Sequence, residues 1–226
     1  PSVAQLKAIN GATTGAITLA VTNGALSGSA ADLDAAFAGT VTTHTGTVTV
    51  TDAPSVAQLK AINAATSGAI TLGVTNGALS GSAADLVLAV AGTVTTHTGT
   101  VTVTDAPSVA ELKAINAAST GAITLGTTNG ALSGSAADLV LAFAGTVTTH
   151  TGTVTITDGP TLAQLITINA ATTGAITLDD TNDAYSGSAA DLVSAFAGTV
   201  TEHTGTVTIT DAPSVAQLKA INAATS

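Results

Sequence analysis

Cysteine, methionine, tryptophan and arginine are all missing from this chain of 226 residues. Without cysteine there is no disulfide framework, no thiol nucleophile and no thiolate metal ligand, which fits a reducing and an oxidising compartment equally. Aromatic side chains are nearly absent too, with three Phe and one Tyr. A core made of Val, Leu, Ile and Ala must then be thin and closely approached, and a bulky ligand pocket walled by rings is not expected.

Positive charge is as scarce: four Lys stand against fourteen acidic residues, for a formal charge of −10. Such a surface repels phosphate backbones and anionic lipid heads, so nucleic acid is a poor partner. No apolar run approaches the ~20 residues that span a bilayer, and no charged, apolar and cleavable leader opens the chain, so membrane insertion is not expected. The chain starts at Pro1 without an initiating Met and stops at Ser226 inside a repeat, which reads as a segment of a longer protein.

What is present is repetition. Pro1, Pro54, Pro107, Pro160 and Pro213 are each separated by 53 residues, and the text between them recurs with modest drift. A period of this length marks an array in which each unit buries its apolar face on the next. The fourth unit diverges most, with Ile166 in place of Lys and an acidic run from Asp179 to Asp183.

Each repeat divides into two halves with the same grammar of helix, glycine and strand. Ser55-Val56-Ala57-Gln58 and Ser82-Ala83-Ala84-Asp85 both fit a capping box, in which the hydroxyl takes a free backbone N–H and the residue three places on reaches back. Behind the caps, Val56, Leu59 and Ile62, and Leu86, Ala89 and Val90, recur at helical spacing. Strands follow with period two: Ile70, Leu72 and Val74 face inward, as do Val101 and Val103, and threonines face outward. The last inward position holds Val21, Val74, Thr127 and Asp180 in turn, which places it at the rim of the core.

These elements predict an α/β chain: one right-handed α/β solenoid domain over residues 1–226, with helix–strand coils of about 26 residues, two per repeat. A parallel sheet lies on one side and short helices on the other. The repeats run 1–53, 54–106, 107–159 and 160–212, and a helical part-repeat at 213–226 covers the last coil. A larger turn that uses all 53 residues is the competing architecture.

His44, His97, His150 and His203 are the only histidines and always stand in the context T-x-H-T-G. Two coils apart means roughly 10 Å along a sheet axis, too far for two of them to share one zinc ion through bonds of about 2 Å. No carboxylate neighbours them in every repeat, so they are expected in exposed loops or at strand edges, with a weak metal or pH role and catalysis as lesser alternatives. Asp32, Asp85, Asp138 and Asp191 fall in helix first turns, where the dipole favours them. Asp52, Asp105, Asp158 and Asp211 end strands, as turn residues do; a ladder of them is the calcium candidate, and no other metal, cofactor or catalytic residue is expected. The outward threonines suit an exposed sheet face.

The stretch SVAQLKAINAATSGAITL from Ser55, followed by SAADLVLAVAGTVTTHTGTVTVTD from Ser82, resembles the tandem repeats of very large secreted or surface proteins of bacteria, cyanobacteria above all. The resemblance implies export to the cell surface or beyond it, an extended shape, and activity residing in neighbouring domains. The expected function is therefore that of a structural segment, a spacer or fibre-forming scaffold whose partners are neighbouring repeats or further copies of itself. The alternative is an adhesion or binding module that uses the threonine face or the strand-end aspartates for calcium or glycan. No nucleophile, base and orienting group sit together, so an enzyme is not expected.

Overall fold

The computed structural model describes all of residues 1–226. It is an α/β structure in which short helices alternate with three-residue strands that pair in parallel. The residues fall into two compact units, Pro1–Asp105 with Ala117–Thr124, and Ala106–Asn116 with Leu125–Ser226.

The first unit runs α1 (Val3–Ala12), β1 (Leu26–Gly28), α2 (Ala30–Phe37), β2 (Val48–Val50), α3 (Val56–Ala65), β3 (Ile70–Leu72), β4 (Leu79–Gly81), α4 (Ala83–Val90) and β5 (Val101–Val103). Helix α5 (Val109–Ala118) and strand β6 (Ile123–Leu125) contribute residues to both units. The second unit continues with β7 (Leu132–Gly134), α6 (Ala136–Ala142), β8 (Val154–Ile156), α7 (Leu162–Ala171), β9 (Ile176–Leu178), β10 (Tyr185–Gly187), α8 (Ala189–Ala195), β11 (Val207–Ile209) and α9 (Val215–Ala223).

The helices begin where the hydroxyls stand. Ser2, Ser55, Thr161 and Ser214 each form a full capping box with the glutamine three residues on, and Ser108 does the same with Glu111. The second helix of each repeat departs from this. Ser82 accepts the Asp85 N–H, but the Asp85 carboxylate turns to Lys60 at 2.5 Å instead of reaching back. A carboxylate one methylene shorter than Glu, with an ammonium within reach, finds the better partner outside its own helix.

The inward faces follow the predicted spacing. Val56, Leu59 and Ile62 of α3 and Leu86 and Ala89 of α4 are buried, and so are Ile70, Leu72, Val101 and Val103. Val74 is half-buried, Val21 is exposed and Asp180 is exposed, as a rim position requires.

The sheet differs from expectation. Leu79–Gly81 and its counterparts, to which the sequence assigns no element, form an additional strand in each repeat, and the strand beginning at Ile70 ends at Leu72. Strand starts step from Leu26 to Val48 to Ile70 in exact pairing register, and then only nine residues separate Ile70 from Leu79. No helix fits into that short step. The chain leaves one sheet at β3 and opens the next at β4, so the strands form small sheets, β1-β2-β3 in the first unit and β7-β8-β9 and β10-β11 in the second, and no single continuous sheet.

Just ahead of the paired strands within a sheet, backbone approaches backbone. A Cβ built on Gly68 would stand 1.8 Å from the Gly46 carbonyl oxygen, a separation that only glycine allows. Gly121 over Gly99 and Gly174 over Gly152 repeat the contact. After the second helix of each repeat, Gly39, Gly92, Gly145 and Gly198 take positive φ, between 69° and 74°, the conformation that glycine adopts without steric cost.

Candidate functional site

The polar residues that recur in every repeat are the candidates for chemistry, and their partners are specific. Asn10, Asn63 and their counterparts, which sequence reading passed over, carry the densest set of hydrogen bonds. The Asn63 amide nitrogen donates to the carbonyls of Leu88, Ala89 and Ala91 at 2.9, 3.3 and 2.9 Å. Those are carbonyls at the end of α4 that have no helical partner of their own. Asn10, Asn116 and Asn169 treat α2, α6 and α8 in the same way. The only trace in sequence is an invariant Asn inside a helix, where its propensity is poor.

The strand-end aspartates serve the opposite helix ends. Asp52 Oδ1 accepts the N–H of Ala30 at 2.7 Å, and Asp105, Asp158 and Asp211 accept those of Ala83, Ala136 and Ala189 at 2.7 to 2.8 Å. Each helix of this type therefore has two N-terminal acceptors, its own Ser and an Asp 22 residues further along the chain. The negative charge also complements the helix dipole. No group of three or more histidine or acidic side chains converges in a way that could hold a metal ion. Replacing Asp105 by Ala is expected to lower stability by about 1 kcal/mol, the usual worth of a capping side chain, read as a shift in urea midpoint.

Asp32, Asp85 and Asp138 pair with Lys7, Lys60 and Lys113. The lysine hydrogen bond holds each carboxyl below its ordinary range. All six side chains are about half exposed, which makes these pairs weak and salt-sensitive. Ile166 removes the lysine from the fourth repeat, and Asp191 there meets the Ser188 hydroxyl instead.

The histidines are not where the sequence placed them. Far from exposed, His44, His97, His150 and His203 have at most 3% of their surface accessible. Their backbones bridge to Thr66, Ser119, Thr172 and Thr225. The reason is legible afterwards: His44, Gly46, Val48 and Val50 are all buried and the threonines between them face outward. The period-two face that contains the valines simply extends back through glycine to histidine.

Neither ring nitrogen of any of the four meets a protein group in hydrogen-bonding geometry. Burial lowers the pKa of each, opposed in part by nearby backbone groups such as those of Thr47 and Gly24 at His44. The rings pack on apolar neighbours: His44 on Phe37 and His150 on Phe143, both at 6.0 Å between centroids, and His203 on Tyr185 and Phe196 at 4.7 and 5.7 Å. No carboxylate hydrogen-bonds to any of the four rings to orient it.

The acidic run of the fourth repeat is a turn in which Asp180 accepts the Asn182 N–H and Asn182 accepts the Thr204 hydroxyl. Beside it the Tyr185 phenol is buried, and burial, with Asp183 and Asp180 nearby, pushes its pKa up to about 12. The outward threonines join in pairs, Thr22 with Thr45 and Thr75 with Thr98 in the first unit, each at 3.1 Å.

Comparison with protein-family models, with curated proteins and with solved structures finds no match.

Proposed function

We propose that this chain is a structural repeat segment, a right-handed α/β solenoid of helix–strand coils that acts as a spacer, stalk or fibre-forming scaffold in a large secreted or surface protein. The observation that carries this reading is the fate of the recurring polar groups. Asn caps helix C-termini, Asp and Ser cap helix N-termini, Thr joins strands and His fills the interior. Ser caps its own helix, and Asn, the strand-end Asp and Thr each reach a group 22 to 28 residues away in the neighbouring layer.

Nearest-neighbour contacts of this kind suit an array whose length is set by the number of repeats. An array also offers what a spacer needs, since added repeats extend it without new chemistry. On this reading the chain is not an enzyme, works at the cell surface or outside it, and meets neighbouring repeats or further copies of itself.

Thermal unfolding followed by circular dichroism, in EDTA, in millimolar calcium and in micromolar zinc, tests the reading. An unchanged midpoint in all three is expected of a spacer held by its own hydrogen bonds. A rise of several degrees with calcium alone would make Asp52, Asp105, Asp158 and Asp211 ligands and favour a calcium-dependent binding module, because a ligand that binds only the folded form stabilises it.

A further inference from the structure

We propose that His44, His97, His150 and His203 form a repeated acid-release device: the neutral imidazoles keep adjacent helix–strand layers closed, and protonation of these buried rings opens them.

The geometry carries the inference. Each repeat places one histidine inside its core, accessible to at most 3%, with both ring nitrogens outside hydrogen-bonding geometry to any protein group. An imidazolium has two N–H donors. Backbone groups such as those of Thr47 and Gly24 at His44 favour the charged ring in part, but burial outweighs them and an imidazolium held there is unfavourable. Separation of the layers, which admits water, relieves it.

The charged groups facing the rings are few. His44 lies among Leu6, Leu26 and Phe37, and the sole charge acting on it is the Pro1 amino terminus, which also disfavours protonation. No charged group acts on His97 or on His150. His203, between Tyr185 and Phe196, is the exception, since Asp183 and Asp180 favour its protonated form, although burial outweighs them.

The sign follows from proton counting. An unfolded imidazole titrates near 6.5, and the folded ones titrate lower. Between those values the unfolded chain binds more protons, so stability falls as the pH falls through about 6.5 and is fully present above it. Asp32, Asp85 and Asp138 have depressed values, and their contribution is lost only as the pH falls below about 3.8. Mild acid thus isolates the histidines from these ion pairs.

The test is urea unfolding of the whole chain from pH 7.5 to pH 5.0 at constant ionic strength, together with NMR titration of the histidine ring protons in the folded protein. Each histidine can raise the unfolding constant by at most about ten-fold per pH unit, so a compact unit that holds two can reach about 100-fold per unit of pH. The expected result is a steep loss in this range, with ring signals that stay neutral at pH 6.5. Substituting His97→Phe is expected to remove up to one proton from the dependence. If that variant does not fold, the wild-type titration decides alone. Ring signals that titrate at or above pH 6.5 in the folded state, or a urea midpoint flat from pH 7.5 to 5.0, would overturn the proposal.

Discussion

Gly68→Ala is expected to destabilise the protein by about 3 kcal/mol or more, the upper range for forced overpacking. The new methyl carbon would fall 1.8 Å from the Gly46 carbonyl oxygen, 2.6 Å from its carbon and 2.9 Å from the Thr45 carbonyl oxygen. All three are backbone atoms, so no rotamer change relieves the clash. The layers must part, and parting them disturbs the adjoining bridge between His44 and Thr66. Gly11→Ala is the matched control. Gly11 lies in α1 with nothing within 4 Å of its missing methyl group, and alanine stands at the same place in every other repeat. There the same chemical change should stabilise, by up to about 1 kcal/mol near a helix end. Urea midpoints for the two variants should move in opposite directions; a Gly68→Ala midpoint equal to wild type would contradict the close backbone approach.

Asn63→Asp is expected to cost roughly 2–4 kcal/mol, more than Asn63→Ala at about 1–2 kcal/mol. One amide group donates to three carbonyls through two hydrogens, so at least one is shared. Alanine removes those donors, and water recovers part of the loss because the site is half-exposed. Aspartate goes further, replacing the donors with a negative acceptor at the negative end of the α4 dipole. The difference between the two variants is electrostatic and should shrink in high salt. Equal midpoints for Asp and Ala at low ionic strength would mean that the side chain turns to solvent and that the C-terminal carbonyls of α4 need no partner from α3.

Both substitutions fall on residues that a scan for catalytic motifs ignores. Their importance comes from stacking: each repeat must cap helices and approach backbones supplied by residues 22 to 28 positions away. A mutational profile in which these positions matter most would agree with the spacer reading, while a binding module would show its greatest losses in ligand affinity at exposed threonines or aspartates.

Much of this was legible in the 53-residue period and in local chemistry. Ser55 followed by Gln58 starts a helix because free N–H groups need an acceptor within three residues, and that requirement is written in adjacent letters. Leu59 and Ile62 are buried because helical geometry puts them on one face. The valines of β2 and β5 turn inward for the equivalent reason in a strand. These are local rules, and a chain that repeats them reports them several times over.

The tertiary structure alone decided the rest. Histidine suits a solvent-facing turn or a core equally well, and only the bridge to the next layer selects the core for His44. The Asp85 carboxylate goes to Lys60, which arrives from 25 residues earlier. Leu79–Gly81 becomes a strand because Val101–Val103 lies alongside it, and three residues with a terminal glycine have no strand signal of their own. In each case the deciding partner lies more than 20 residues away, and its position is set by how the layers stack, which no window of local sequence contains.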